Sequence, residues 1–139
     1  MSKETEYSGT YNEFSVIWNN IFVPMPETIE IISSPAQNYQ LVVLSNTNDL
    51  HFDYLKKSYP GIFLLFEKLF LSYEMHLRKP EDEIFQQVIK YYDILPSEIF
   101  FADDMEENVK AGRNNGISAH LFTCSSKLAE QLKDQKVQI

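Results

Sequence analysis

The sequence predicts an α/β fold built on a parallel sheet, and three observations carry that prediction. Short apolar runs stop abruptly at small polar or acidic residues, segments with helical spacing lie between them, and the two kinds of segment alternate along the chain. Leu41-Val42-Val43-Leu44 leads into Ser45-Asn46-Thr47, and Ile99-Phe100-Phe101-Ala102 leads into Asp103-Asp104. Runs rich in β-branched and aromatic residues, without alternation, suit strands covered on both faces, as in a parallel sheet.

In chain order, residues 11–22 read as a helix with Phe14, Ile17, Trp18 and Ile21 on one side, the spacing of a core stripe. Pro24 and Pro26 separate it from a shorter helix over residues 27–32, stopped at Pro35. After the strand at 41–44, residues 48–58 carry Leu50, Tyr54 and Leu55 on one helical face, with Asp49 favouring the positive helix start. Residues 68–72 form the second strand candidate. Pro80-Glu81-Asp82-Glu83 opens a helix whose buried stripe is Ile84, Phe85, Val88 and Ile89. The third strand, at 99–102, precedes a helix over 104–115 that stops near Asn114-Asn115-Gly116, and residues 119–123 give a fourth strand. There is no linker or repeat, so residues 1–139 read as a single domain.

Composition narrows the partners. The chain has 139 residues, 44% of them hydrophobic and 14% aromatic, enough for a real core. Its formal net charge is -8 and its Lys and Arg form no stripe, which argues against nucleic acid and anionic membrane surfaces. Cys124 is the single cysteine, so no intrachain disulfide and no multi-cysteine metal site can form, and a cytoplasmic setting is expected. The polar first residues do not read as a signal peptide, and no apolar stretch approaches the ~20 residues of a membrane span.

In an open parallel sheet, ligands bind beyond the carboxyl ends of the strands. Ser45 and the Asp103-Asp104 pair are expected at that rim, and Lys79, just before the helix-opening Pro80, can be directed to it. Adjacent carboxylates repel one another and resist burial unless a cation sits against them. A hydroxyl, an ammonium and two carboxylates would suit a phosphate held with Mg²⁺, the carboxylates taking the hard cation and Lys and Ser the phosphoryl oxygens. Taken singly, Asp103-Asp104 could merely begin a helix, Ser45 could cap a strand end and Lys79 could be a solvated charge. Asn108 reads equally as a brace for the acidic loop or as a surface amide. His51 reads as an ordinary half-buried or exposed histidine, His120 as packing, and Cys124 as a thiol without chemistry.

Three segments in this order carry a family resemblance: Leu41 to Asn48, Leu77-Arg78-Lys79-Pro80, and Ile99 to Asp104 with Asn108 four residues on. They resemble the second, third and fourth motifs of the haloacid dehalogenase-like (HAD) hydrolases, most closely the small sugar-phosphate phosphatases of the glucose-1-phosphate type, from about Phe14 to Phe122. The resemblance implies a Rossmann-type three-layer α/β/α fold with a doubly wound sheet, Mg²⁺, and hydrolysis of a phosphate ester through an aspartyl-phosphate. It implies that Ser45 and Asn46 contact the phosphorylated substrate and that Lys79 neutralises charge on it. It further implies that Asp103 coordinates Mg²⁺ directly or through water, and that Asp104 assists it or orients Lys79.

Two departures accompany the resemblance. The family's first motif is a strand ending in Asp-x-Asp, the source of the attacking carboxylate, whereas here no two aspartates are separated by one residue and the first 40 residues contain none. Residues 1–36 then correspond to a remnant of a helical cap, and 37–139 to a core lacking its first strand, which would lie between the strands ending at Ser45 and Asp103. Three explanations stay open: an N-terminally truncated sequence, a degenerate non-enzymatic paralogue, and a strand supplied by a partner chain. By this reading the chain alone lacks turnover, and its open sheet edges could pair in a dimer. The second departure is His76, where the family commonly has Gly; a backbone with positive φ there would be held at a cost. The rival functions are a non-catalytic phosphate- and metal-binding protein, a metal-free dehalogenase of the same fold, and a phospho-acceptor receiver domain. The receiver ranks low because its acidic pair comes first in the chain.

Overall fold

The computed structural model describes residues 24–139. Helix α1 (Pro26–Ser33) and a 3₁₀ turn (Pro35–Gln37) lead to strand β1 (Val42–Ser45), helix α2 (Asp49–Ser58) and the single turn α3 (Pro60–Phe63). Strand β2 (Lys68–Leu71), the turn α4 (Ser72–Met75) and helix α5 (Asp82–Tyr92) follow. A second 3₁₀ turn (Pro96–Glu98), strand β3 (Phe100–Asp103), helix α6 (Glu106–Asn114), strand β4 (Ser118–Leu121) and helix α7 (Ser125–Asp134) complete the chain. The helix expected at 11–22 lies outside the described residues.

All four expected strands form, within one or two residues of their expected limits. The helix starts differ for local reasons. Helix α2 is capped by the Asn48 side-chain oxygen, which accepts the His51 N–H at 2.9 Å. Helix α5 begins at Asp82, later than expected, because residues 78–81 first close a turn in which the Glu81 N–H donates to the Arg78 carbonyl at 2.9 Å. Helix α6 begins at Glu106 because the Met105 N–H is spent on the Asp103 side chain, so residues 104 and 105 arc around that carboxylate. Helix α7 carries only Leu128 and Leu132 as buried apolar anchors, a signal too sparse to stand out in the sequence.

The strands form two parallel pairs. In one, β1 lies against β2 with Ser45 opposite Leu71; in the other, β3 lies against β4 with Asp103 opposite Leu121. No ladder joins β1 to β3 among the described residues. Leu41 and Val42 on one side, and Ile99 and Phe100 on the other, border a cleft of about 460 Å³. The sheet therefore parts where the sequence leads one to expect a missing strand, and the fold is an incomplete Rossmann-like α/β domain.

One helical layer serves both pairs. Ile84 and Phe85 of α5, Val109 and Ala111 of α6, with Ile117 and Ala119, form the buried cluster on which Leu44, Phe101 and Leu121 pack. Helix α6 comes close to the sheet through Gly112, where a Cβ would lie 3.0 Å from Ala119 Cβ and 3.2 Å from the Phe101 ring. Phe85 meets Phe101 edge to face at 5.5 Å, which fixes α5 over β3. Among the described residues no helix is long and apolar enough to cross a membrane.

Candidate active site

Ser45 closes β1 and Asp103 closes β3, and the two strand ends are linked through Lys79, which is bonded to Asn46 next to Ser45 and to Asp103. Lys79 arrives from the loop after α4. That loop turns at His76, which has φ 55° and ψ 29°, the left-handed conformation anticipated for this position. From there Lys79 reaches across the molecule and its Nζ donates to Asp103 Oδ2 at 2.5 Å, with both residues 8% exposed. The ammonium also lies 5.5 Å from the Phe101 ring centroid, so its outer face is partly covered by an aromatic.

The second Asp103 oxygen is equally engaged. Oδ1 accepts the Met105 N–H at 2.8 Å and the Asn108 Nδ2 at 3.0 Å. Burial by itself raises the Asp103 carboxyl, but donation from Lys79, Met105 and Asn108 more than offsets it and holds the group below the usual carboxylate value. Asp103 is thus an anion at neutral pH, already matched by one cation. Asn108 is 2% exposed and acts as the brace for this loop; its Oδ1 is buried with no hydrogen-bond partner among the described residues. Asp104 points the other way in environment: it is exposed, and Lys79 pairs with its neighbour.

Two contacts that sequence reasoning did not anticipate tie this rim together. Asn46 donates from Nδ2 to the Lys79 carbonyl at 2.8 Å, while its Oδ1 accepts the Lys79 N–H at 2.8 Å. Ser72 accepts the Thr47 N–H at 3.0 Å and donates to the Thr47 carbonyl at 2.9 Å. The only sequence signal for either was a small polar residue directly after an apolar run. The other residues weighed earlier lie apart from the Lys79–Asp103 pair in their contacts. His51 belongs to the α2 cap, and His120 stacks on Phe100 at 4.6 Å and exchanges a hydrogen bond with Ser118. Cys124 is exposed at the start of α7. Among the described residues no group of three or more His, Cys, Asp or Glu side chains is placed to hold a metal ion.

A buried lysine–aspartate pair at the carboxyl ends of parallel strands, with a serine at the end of the neighbouring strand pair, defines an α/β protein with a rim suited to anion chemistry. The chain belongs to the haloacid dehalogenase-like hydrolase family, whose profile matches residues 3–116. Over 113 residues it is 31% identical to the D-ribitol-5-phosphate phosphatase of Bacteroides thetaiotaomicron, an alignment covering 77% of this chain and 55% of that protein. Among solved structures, a HAD family enzyme from the same bacterium superposes with a TM-score of 0.77 at 34% identity, covering 83% of this chain and 60% of that one. A complex of that enzyme with magnesium and inorganic phosphate superposes with a TM-score of 0.76 at 32% identity, covering 84% of this chain and 62% of that one. A HAD-like hydrolase structure from Porphyromonas gingivalis, at 23% identity and a TM-score of 0.80, agrees in fold. The chain thus spans little more than half the length of the curated relative it matches.

Proposed function

We propose that this chain carries the phosphate- and Mg²⁺-binding rim of a HAD-like phosphatase acting in the cytoplasm on a small phosphorylated metabolite such as a sugar phosphate. The observation that carries the reading is the buried Lys79–Asp103 pair, which fixes an ammonium at the strand ends where Ser45 also terminates. The phosphatase relative and the magnesium and phosphate complex support the substrate class and the ion.

The residues present fit the ion. Mg²⁺ is usually held by one or two carboxylates together with waters and substrate phosphate oxygens. Asp104 is exposed, and Asp103 uses three of its roughly four acceptor positions, which leaves Oδ2 one more. Because Lys79 sits on Asp103, the orienting role falls to Asp103 and the larger share of metal binding to Asp104. When bound, Mg²⁺ would be held by Asp104 with Asp103 and would offset negative charge on the phosphoryl group. Ser45 donates a hydrogen bond to the phosphoryl group, and Lys79 compensates its charge.

The attacking carboxylate is not among these residues, since the sequence holds no Asp-x-Asp. The chain alone therefore binds phosphate without releasing it from an ester. The cleft between β1 and β3 supports a further strand pairing there, from a partner or a second copy of the chain. The test is phosphate release from a panel of sugar phosphates with Mg²⁺ and with chelator, beside the melting temperature with Mg²⁺ and inorganic phosphate. The expected result is a phosphate-dependent rise in melting temperature with no release. Release lost in Asp103→Asn would mean that another carboxylate attacks, and an unmoved melting temperature would remove the binding rim.

A further inference from the structure

Every peptide group in a covered loop must find its hydrogen bonds, and at Lys79 both go to one side chain. The Lys79 N–H and C=O are each paired at 2.8 Å with the amide of Asn46, which lies 33 positions earlier in the chain. The pattern mimics a strand-to-strand bridge, with one planar amide supplying the acceptor and the donor together. Asparagine places the acceptor and the donor on two separate atoms of one plane, whereas a hydroxyl must use a single oxygen for both, as Ser72 does for Thr47.

The rest of the loop is held by Met75 and Leu77 packing on the core cluster and by the Glu81 N–H donating to the Arg78 carbonyl, which leaves the Lys79 peptide groups to Asn46. Residues 72–75 make a single helical turn, His76 is in the left-handed region, and helix α5 does not begin until Asp82. The next residue, Pro80, has no N–H to give. The Asn46 end, by contrast, is anchored: it follows Ser45 directly, and its other neighbour Thr47 is held by both hydrogen bonds to Ser72.

We infer that Asn46 is a positioning residue for the Lys79 ammonium, acting through the Lys79 backbone. Lysine carries its charge at the end of a flexible four-carbon stem, so the ammonium is placed reproducibly only if the start of the stem and its tip are both fixed. Asp103 fixes the tip and Asn46 fixes the start. This deepens the phosphatase reading and rests on it for the statement that the ammonium serves a phosphoryl group. It also changes the role the family resemblance gave Asn46, from touching substrate to holding the residue that does.

The experiment uses the full chain, in wild-type form and as Asn46→Ala and Asn46→Asp, with two readouts. The first is the ¹⁵N–¹H ammonium signal of Lys79, visible when the group is buried and exchanges slowly. The second is calorimetric binding of inorganic phosphate in the presence of Mg²⁺. Loss of two hydrogen bonds from the loop predicts an Asn46→Ala protein whose Lys79 signal is shifted or broadened away and whose phosphate affinity falls about tenfold. Asn46→Asp keeps the acceptor for the Lys79 N–H and is expected to fall between the two, which also covers the case in which Asn46→Ala does not fold. A Lys79 signal unchanged in the folded variants overturns the inference, whatever happens to affinity, because weakened binding with an unmoved ammonium makes Asn46 a direct phosphate contact. A shifted signal in a protein whose wild-type form binds no phosphate upholds the clamp and removes the phosphatase reading instead.

Discussion

The two strand pairs are alike in length and direction but differ in what holds them. The β3–β4 pair is built into the core: Phe101 and Leu121 lie on the Ile84–Phe85–Val109 cluster, and α6 sits so close that Gly112 has no room for a side chain. In the β1–β2 pair, β2 is buried through Phe70 and Leu71, whereas all four β1 residues are half-buried and Val42 borders the cleft. Beyond the end of β1 the chain is held by directed polar contacts, Asn46 to Lys79 and Thr47 to Ser72. Lys79 then spans to Asp103 and connects the segment after β1 to the end of β3. The difference teaches that Asp103 rests on a strand backed by the core cluster and is braced by Met105 and Asn108, whereas Lys79 is placed by hydrogen bonds at both of its ends.

The most direct way to break this comparison is to cut the connection. Lys79→Met leaves the Asp103 carboxylate buried and unpaired, and removing one partner of a buried pair costs about 3–5 kcal/mol. Asp103 keeps two other donors, Met105 and Asn108, so the lower end, about 3 kcal/mol by urea denaturation at pH 7, is expected. A cost below about 1 kcal/mol would be that of a screened surface pair, and the connection between the halves would have to lie elsewhere.

The same variant has a pH signature with a definite sign. Asp103 has a folded-state value depressed below its unfolded one of about 3.9, so its contribution is present above that value and is lost as pH falls through the folded value. A protonated Asp103 no longer requires the ammonium. The difference in stability between wild type and Lys79→Met is therefore expected to shrink as pH drops from 6 towards 3. A difference that stays constant over that window would show that Lys79 acts by packing its stem, not by charge.

Much of this was legible before any coordinates, and the reason is local. Apolar runs such as 41–44 and 99–102 announce buried parallel strands, and Ile84, Phe85 and Val88 recur at helical spacing, so those elements were found almost to the residue. The places of Ser45 and Asp103 at strand ends were legible because each directly follows an apolar run. Which of Asp103 and Asp104 is buried was not legible, because adjacency in sequence says nothing about which carboxylate turns inward. That is decided by Lys79 and Asn108, which approach from 24 residues before and 5 residues after. The Asn46 clamp was illegible for the same reason, being a contact between segments whose meeting depends on the whole loop.

A matched pair of deletions sharpens the contrast in packing. Val109 is fully buried in the core cluster, whereas Val42 is half-buried beside the cleft. At roughly 0.8 kcal/mol per buried methylene plus a cavity term, Val109→Ala is expected to cost about 2–3 kcal/mol, and Val42→Ala about 0.5–1 kcal/mol because its surroundings are already open. Equal losses in a urea titration would mean that the β1 edge is covered in solution, as a strand from a partner or a second copy would cover it.

The smallest expected effect lies at His76, in the loop that delivers Lys79. An L-residue in the left-handed region is disfavoured by roughly 1–2 kcal/mol, and glycine gives back part of that through the greater freedom of its unfolded chain. With φ at 55° and an exposed side chain, His76→Gly is expected to raise stability by about 0.5–1 kcal/mol. The informative comparison is with the Lys79 ammonium signal in the same protein. If glycine relaxes the turn while Asn46 still grips the Lys79 backbone, stability rises and the ammonium signal stays put. If the signal moves as well, the strained His76 is part of what aims the lysine, and the polar half of the rim depends on backbone strain as much as on its hydrogen bonds.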